Sequence, residues 1–366
     1  MSWLHWTSTG AGRSLVQRLT GLAGWLLLSA ATGAAQAGSG ILECMPPRTV
    51  DVMVRIGRDV APVTLKLAGG TSPALRLFDA QTGAMRWTAA AAAPASQVFT
   101  GMRAGFAGSL AVVDLDGDGL HDRIYAGDLA GRLWRFDIHH GERAEALVTG
   151  GIFASLGGEP AVRAFLAPPD LSFTAAAGHP SGINIAIGTA SLWQGEERNR
   201  FYVLRDRAPF EVWSAEDYLR WRPLTEADLV WANDPSRAAG ASPDPQGGFY
   251  VSLEHGSVVL PSITVSGRTF MAVADDFARS GSTCGVAVTV SSLSLENGRP
   301  VAVSGGVNDG GGTMRLPERI ALSAAFHIEA AAGVAVATCR LGDVEIPGCA
   351  VSTRPTPLWW RREDAD

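Results

Sequence analysis

The chain has 366 residues, of which 46% are hydrophobic and 18% charged, and its formal net charge is −6. This composition predicts a globular protein and argues against a disordered one, and the acidic balance argues against a nucleic-acid-binding surface. The 43 glycines and 20 prolines favour many tight turns and therefore many short strands.

The N-terminal segment predicts export. Two arginines, Arg13 and Arg18, precede a mostly apolar stretch over 19–31, and residues 35–37 (Ala-Gln-Ala) form a small-x-small cleavage site. We therefore expect a signal peptide over 1–37. Its removal takes away two arginines and no acidic residue, which changes the net charge from −6 to −8. The apolar run is short for a membrane span, so a retained anchor is the minor alternative, and no span is expected after cleavage.

Alternating apolar residues predict strands after this segment. Residues 50–67 contain two such runs. Residues 75–88 predict a hairpin, in which a Gln-Thr-Gly turn joins a strand that ends in aspartate to a strand that contains tryptophan. Related hairpins are predicted at 133–148 and, more loosely, at 290–303. Recurrent hairpins of this kind are typical of β-propeller blades, and we expect their tryptophans to fill the blade cores.

A run of aspartates lies within the stretch from Ala111 to Ile138, between two predicted strands. Aspartates occupy positions one, three, five and nine of a calcium-type loop, and position seven offers a backbone carbonyl. These residues are Asp114, Asp116, Asp118, Asp122 and, for the carbonyl, Leu120. Carboxylates at this spacing converge on one point, and a hard cation such as calcium makes their repulsion tolerable. A solvated acidic turn is the alternative.

The predicted calcium loop is not an EF-hand. Position twelve of an EF-hand is a bidentate glutamate, and here it is Tyr125, inside a predicted strand. Asp128 is expected to cap the next turn, with a further metal ligand as the alternative. His139 and His140 follow a predicted strand and are expected in a turn rather than in a metal site.

The rest of the chain continues the β pattern with one interruption. Strands are predicted at 183–190 and 201–206, and a long hairpin follows further on. Residues 224–229 instead predict one short helical insert, because Thr225 is a suitable N-cap with Asp228 three residues later. Together these features predict an all-β fold, a modified or partial β-propeller of the quinoprotein-like kind.

Four cysteines follow the predicted signal peptide, and an even number in an exported protein predicts two disulfides with three possible pairings. They are Cys44, Cys284, Cys339 and Cys349. Pairing Cys339 with Cys349 is the most economical choice, because a Gly-Asp turn and a Pro-Gly pair between them make a short loop.

Several stretches resemble a known family. The run VVDLDGDGLHDRIYAGDLAGRLWRFDI resembles the motif of the PilY family, which comprises type IV pilus biogenesis factors and tip-associated adhesins. INIAIGTA with FYVLRD, LTEADLV, the hairpin from GGFYVSL to ADDF and the terminal PLWWRRED resemble the family in the same order. The resemblance covers 74–366, and it divides the chain into the signal peptide, N-terminal strands over 38–73 and a propeller region with the calcium loop at 114–122.

The resemblance implies a propeller with one bound calcium and a non-enzymatic role at type IV pili. That role is biogenesis, control of extension and retraction with its effect on twitching, or adhesion of the pilus tip to a host or abiotic surface. It implies minor pilins and the pilus tip as partners, and a location in the periplasm, at the outer membrane or at the cell surface. Family members usually carry a long N-terminal region, often with a von Willebrand A-like domain. Here the predicted signal peptide leads almost directly into the predicted propeller.

Two other classes of protein combine a propeller with calcium. An integrin-like propeller that binds protein or glycan repeats its calcium loop in several blades, whereas this loop occurs once. A pyrroloquinoline-quinone dehydrogenase holds calcium beside its cofactor in a central funnel, whereas this loop is predicted between two strands of one blade. Neither a Gly-x-Ser-x-Gly nor a His-Glu-x-x-His motif is present.

Overall fold

A computed structural model describes most of the chain. It covers residues 41–45, 49–70, 72–108, 110–158, 163–176, 179–191, 199–236, 247–280, 283–303, 312–329 and 336–352. The predicted signal peptide and the terminal PLWWRRED stretch lie outside these ranges. Within them, helices are all too short or too polar to cross a membrane.

The strands of the first half form two sheets in simple sequence order. The first sheet contains β1 (Thr49–Ile56), β2 (Asp59–Ala68), β3 (Ala74–Asp79), β4 (Met85–Ala90) and β5 (Gln97–Val98). The second sheet contains β6 (Ala111–Val113), β7 (Arg123–Gly127), β8 (Arg132–Ile138) and β9 (Val148–Ser155). Most neighbours are antiparallel, as in propeller blades built from consecutive hairpins.

The strands of the second half form three further sheets and one small pair. The pair is β10 (Arg163–Ala164) with β13 (Ala190–Ser191). The third sheet has the order β11-β12-β14-β16-β15, with β11 (Asp170–Ala176), β12 (His179–Gly188), β14 (Arg200–Asp206), β15 (Val230–Trp231) and β16 (Gly248–Ser252). The fourth contains β17 (Ser257–Val258), β18 (Ile263–Val265), β19 (Arg268–Ser280), β20 (Thr283–Ser294), β21 (Pro300–Val301), β22 (Met314–Arg315) and β23 (Ile320–Ala321). The fifth contains β24 (Phe326–Glu329), β25 (Val336–Leu341) and β26 (Val344–Ser352).

Alternation of apolar residues explains why these strands pair as they do. Val52 and Val54 point into the core from β1, and Val63 lies opposite Val52 on β2. The hairpin predicted at 75–88 is present as β3 and β4, and Trp87 is buried in the first sheet. β2 pairs with β3, so the N-terminal strands share one sheet with the start of the predicted propeller region.

Each large sheet packs face to face on the next. One apolar core lies between the first and second sheets, another between the second and third, and a third between the third and fourth. A larger cluster joins the fourth sheet to the fifth and to the small β10–β13 pair. Successive sheets that share their cores in this way are blades, which confirms the predicted all-β, modified β-propeller fold.

Helical structure is confined to short segments among the described residues. The turn predicted at 224–229 is a 3-10 helix over Glu226–Asp228, capped by Thr225. A second helix, α1 (Ala215–Arg220), precedes it and was not predicted; its capping box pairs Ser214 with Asp217. Ala144–Ala146 form a further 3-10 turn, and residues 41–43 are helical.

Two disulfides are present, one between neighbouring strands and one between segments that are far apart in sequence. Cys339 and Cys349 are joined across β25 and β26, the pairing that the short intervening loop favoured. Cys44 is joined to Cys284, the first turn of the described chain to β20 of the fourth sheet, over 240 residues of sequence. All four cysteines are therefore oxidised, as is typical of exported proteins.

Candidate metal centre

The aspartate loop connects β6 to β7 at one end of the second sheet. Ala111 pairs with Tyr125 and Val113 with Arg123, so residues 114–122 form the connection between two antiparallel strands. Gly117 and Gly119 have φ values of +78° and +88°, a left-handed conformation that favours glycine. These two positions let the chain reverse twice within a few residues and turn alternate side chains inward.

Three of the predicted ligands converge in the structure. Side-chain oxygens of Asp114, Asp116 and Asp122 all lie within 4.8 Å of one another. Asp114 accepts hydrogen bonds from the backbone N–H groups of Gly117 (2.7 Å) and Gly119 (2.8 Å), which fix the carboxylate. Three carboxylates at this separation are a donor set that suits a hard divalent cation. The residues therefore fit the predicted calcium.

One other predicted ligand, Asp118, lies apart from these three. The carboxylate of Asp118 accepts a hydrogen bond from the N–H of Leu120 (2.8 Å), and Asp118 is not one of the three converging residues. The Leu120 side chain is only 5% exposed and anchors the loop to the protein. The connection between two strands lies where the sequence predicts it, and calcium binding stays a prediction. Spacing does not determine which way each side chain turns.

Tyr125 is a strand residue and not a ligand of the loop. It lies in the middle of β7, fully buried, and its hydroxyl donates to Asp206 at 2.5 Å. Position twelve of the loop therefore faces the third sheet, which confirms that the loop is not an EF-hand. Asp128 caps the following turn: it accepts from the N–H groups of Ala130 and Arg132 and from the indole of Trp134.

Hydrogen bonds connect the loop to the edge of the first sheet. His121 donates its N–H to the carbonyl of Met53 (2.9 Å), and the N–H of Met53 donates to Nδ1 of His121 (3.1 Å). Farther along β1, the N–H of Arg55 donates to Nδ1 of His140 (3.2 Å), and Gly141 donates to the carbonyl of Arg55. The loop end and the β8–β9 turn thus cover the open edge of β1.

His140 is a neighbour of the candidate metal centre that sequence reasoning missed. Its Nε2 lies 3.3 Å from Oδ1 of Asp122, although 18 positions separate the two in sequence. The pairing of β7 with β8 creates this proximity, since the N–H of Ile138 bonds to the carbonyl of Asp122. Only the strand register could have predicted it.

A buried charged cluster lies next to the metal centre, between the second and third sheets. Arg123 Nε contacts Asp137 Oδ1 at 2.6 Å, and Arg135 Nη1 contacts Asp206 Oδ2 at 3.0 Å. All four side chains are almost fully buried. Burial raises the pKa of Tyr125 well above its usual value, and the neighbouring Asp206 carboxylate raises it further. The Tyr125 hydroxyl therefore stays protonated and donates its hydrogen bond to Asp206.

The same cluster holds a connecting segment, residues 207–221, against the second sheet. Arg123 and Arg135 both donate to the carbonyl of Glu211, at 2.6 and 2.7 Å. Tyr218 of α1 donates to Asp137 at 2.5 Å, and Arg135 lies 3.8 Å from the ring centre of Trp213. Burial alone would lower the pKa of Arg123, but Tyr125 and the two aspartates outweigh burial and raise it.

No family model and no curated protein matches this chain. Among solved structures, it is similar to the crystal structure of the PilY1 C-terminal domain of Pseudomonas aeruginosa, with 16% identity and a TM-score of 0.56 over 81% of this chain and 70% of that chain.

One weaker similarity is to Sqt1 of Saccharomyces cerevisiae, with 11% identity and a TM-score of 0.42 over 82% of this chain and 58% of that chain. Another is to a quinohemoprotein alcohol dehydrogenase of Comamonas testosteroni, with 12% identity and a TM-score of 0.33 over 84% of this chain and 46% of that chain. The similarity to the PilY1 domain shows that this chain has a PilY1-like fold. The TM-scores of the two weaker similarities are too low to support a conclusion.

Proposed function

We propose that this protein is an exported, calcium-binding, non-enzymatic component of type IV pili. It acts in pilus biogenesis, in the control of extension and retraction, or in attachment of the pilus tip to a surface, with minor pilins and the pilus tip as partners. The observation that carries the proposal is the convergence of Asp114, Asp116 and Asp122 in a single loop of a PilY1-like fold. Two disulfides support export.

Calcium would act here by neutralising the three carboxylates. Without a cation, their mutual repulsion opposes the folded loop. Since His121 and His140 connect this region to β1, a more stable loop also holds the first and second sheets together more firmly. Binding only to the folded protein stabilises it by mass action, by about 2.7 kcal/mol at a calcium concentration one hundred times the Kd. The bound state would then oppose pilus retraction.

Replacing Asp122 with alanine should weaken calcium binding by about tenfold or more, which corresponds to about 1.4 kcal/mol. The change removes one of three converging carboxylates. Isothermal titration calorimetry of the metal-free protein with calcium measures the effect. Asp79→Ala is the matched control, because Asp79 also accepts backbone N–H bonds in a turn but lies apart from the three carboxylates.

Asp118→Asn refines the set of ligands in the same titration. A small effect would limit the side-chain ligands to the three converging aspartates, and a large one would add Asp118. Equal affinity of the wild type and Asp122→Ala would refute the metal assignment.

Dye reduction upon addition of pyrroloquinoline quinone would refute the non-enzymatic part of the proposal.

A strain that lacks the gene should lose surface pili or twitching, and the wild-type gene should restore both. Complementation with Asp122→Ala should restore them less well, and complementation with Asp79→Ala should restore them fully. Surface pili are counted by electron microscopy, and twitching is measured as the width of the colony edge. Normal pili and normal twitching in the deletion strain would contradict a role at the pilus, whatever the calcium titration shows.

A further inference from the structure

A cleft lies between the third and fourth sheets, away from the aspartate loop. Its volume is about 790 Å³, which is within the range of small-molecule sites. One wall is formed by the ends of β11, β12 and β14, and the other by the turns around Gly267 and Ser294 to Glu296 of the fourth sheet. The cleft is thus a junction of two blades.

Asn184 of β12 lines this cleft and is the central observation. It is 1% exposed, and in the described part of the chain neither its amide nitrogen nor its amide oxygen has a hydrogen-bond partner. The hydroxyl of Ser172, its neighbour on β11, is likewise buried and unpartnered. Buried polar groups in folded proteins are almost always hydrogen-bonded, so two adjacent exceptions beside a cleft indicate a site for a ligand.

The strand register puts these groups in one row. Ser172 is opposite Asn184, and Asn184 is opposite Arg205 on β14, so the three side chains share the face that is turned to the fourth sheet. Arg205 extends across the cleft and donates to the carbonyl of Glu296 at 3.3 Å. A ligand that reaches Asn184 displaces the Arg205 side chain and so replaces its long hydrogen bond to Glu296.

The chemistry of the row selects the class of ligand. An amide offers a donor and an acceptor side by side, and a serine hydroxyl offers both in one group. The rim carries both signs of charge, Arg205 and Arg207 with Glu296, which gives no preference for an anion or a cation. Adjacent hydroxyls on one edge, each able to donate and to accept, are a property of a sugar ring.

We propose that this cleft binds a neutral carbohydrate, with the Asn184 amide hydrogen-bonded to two adjacent hydroxyls of one sugar ring. This site is independent of the aspartate loop and of calcium. Ser172 and Arg205 are the other polar groups within the row that can bind hydroxyls.

The test is a thermal-unfolding and NMR titration with neutral sugars: glucose, galactose, mannose, N-acetylglucosamine and their disaccharides. At least one of them should raise the unfolding temperature of the wild type at millimolar concentration and shift the side-chain amide resonances of Asn184. Asn184→Leu keeps the side-chain volume and loses no hydrogen bond, so it should fold with undiminished stability and lose the sugar-induced shift. Asn233→Leu, which alters an asparagine outside the cleft, should keep the shift.

Further measurements distinguish sugar binding at this cleft from calcium binding at the loop and from peptide binding. The shift should persist in the presence of a calcium chelator, which distinguishes the cleft from the proposed metal centre. The proposal is overturned if none of the sugars binds, if Asn184→Leu binds them as tightly as the wild type, or if a short neutral peptide binds with the same dependence on Asn184 while the sugars do not.

Discussion

Replacing Asp206 with alanine is expected to lower the free energy of unfolding by about 3 to 5 kcal/mol, because the change leaves two buried arginines with one aspartate, Asp137, to neutralise them. Asp206 is 1% exposed, and its carboxylate contacts Arg135 at 3.0 Å and Arg123 at 3.3 Å. It also accepts the Tyr125 hydroxyl. Denaturant unfolding monitored by tryptophan fluorescence measures the loss.

Glu216→Ala is the matched control for this experiment. Glu216 also pairs with an arginine, Arg220, but both side chains are mostly exposed, so the pair is expected to contribute less than about 1 kcal/mol. Combining Asp206→Ala with Arg135→Met should recover part of the loss, since the double change leaves fewer unpaired charges. Equal destabilisation by Asp206→Ala and Glu216→Ala would show that the cluster does not join the second and third sheets in the way the distances indicate.

Asp170 is expected to make the protein less stable as the pH rises from about 4 to above 7. Burial raises the pKa of this carboxyl from 3.8 to about 7, against the opposing effect of its hydrogen bond from Thr264. Within the described structure it has no ion-pair partner. A pKa difference of this size corresponds to up to about 4 kcal/mol.

The direction of this pH dependence follows from which state, folded or unfolded, binds the proton more tightly. The folded-state pKa lies above the unfolded value, so the folded protein holds the proton more strongly. The stabilising contribution is complete below about pH 4 and is lost as the pH rises through about 7. Asp170→Asn should abolish this part of the pH dependence and raise stability at neutral pH, because an amide oxygen still accepts from Thr264.

Unfolding curves at a series of pH values between 4 and 8 check this prediction. Asp79→Asn is a suitable comparison that should leave the slope between pH 4 and 8 unchanged, because the Arg86 hydrogen bond holds the pKa of half-buried Asp79 below its usual value and its linkage therefore acts at lower pH. If the wild type and Asp170→Asn show the same slope of stability against pH, Asp170 is not the group responsible.

The sequence predicted the strands well because apolar alternation is a local property. The hairpins, the aspartate loop and the capped turn at Thr225 are all encoded within a few residues. Helix α1 was missed although Ser214 and Asp217 form a readable capping box. A search for that four-residue pattern would have found it.

The charged cluster and the cleft could not be predicted in the same way. Arg123 and Arg135 alternate with apolar residues, a pattern that normally indicates an exposed strand face, and only the third sheet buries them. Asn184 stands in an apolar run, where nothing local shows whether its amide finds a partner. Which aspartates converge depends on side-chain rotation, which is why Asp118 was grouped with the three that meet.

The disulfide between Cys44 and Cys284 determines which blades bear tension. When the chain is pulled between a point N-terminal to residue 41 and a point C-terminal to β20, the tension passes from Cys44 directly into β20 and bypasses the first three sheets, because the covalent link spans 240 residues. The aspartate loop in the second sheet is then outside the load path. While this bond is intact, such a pull does not load the aspartate loop; once the bond is reduced, the tension is transmitted through β1, which contacts the loop at Met53.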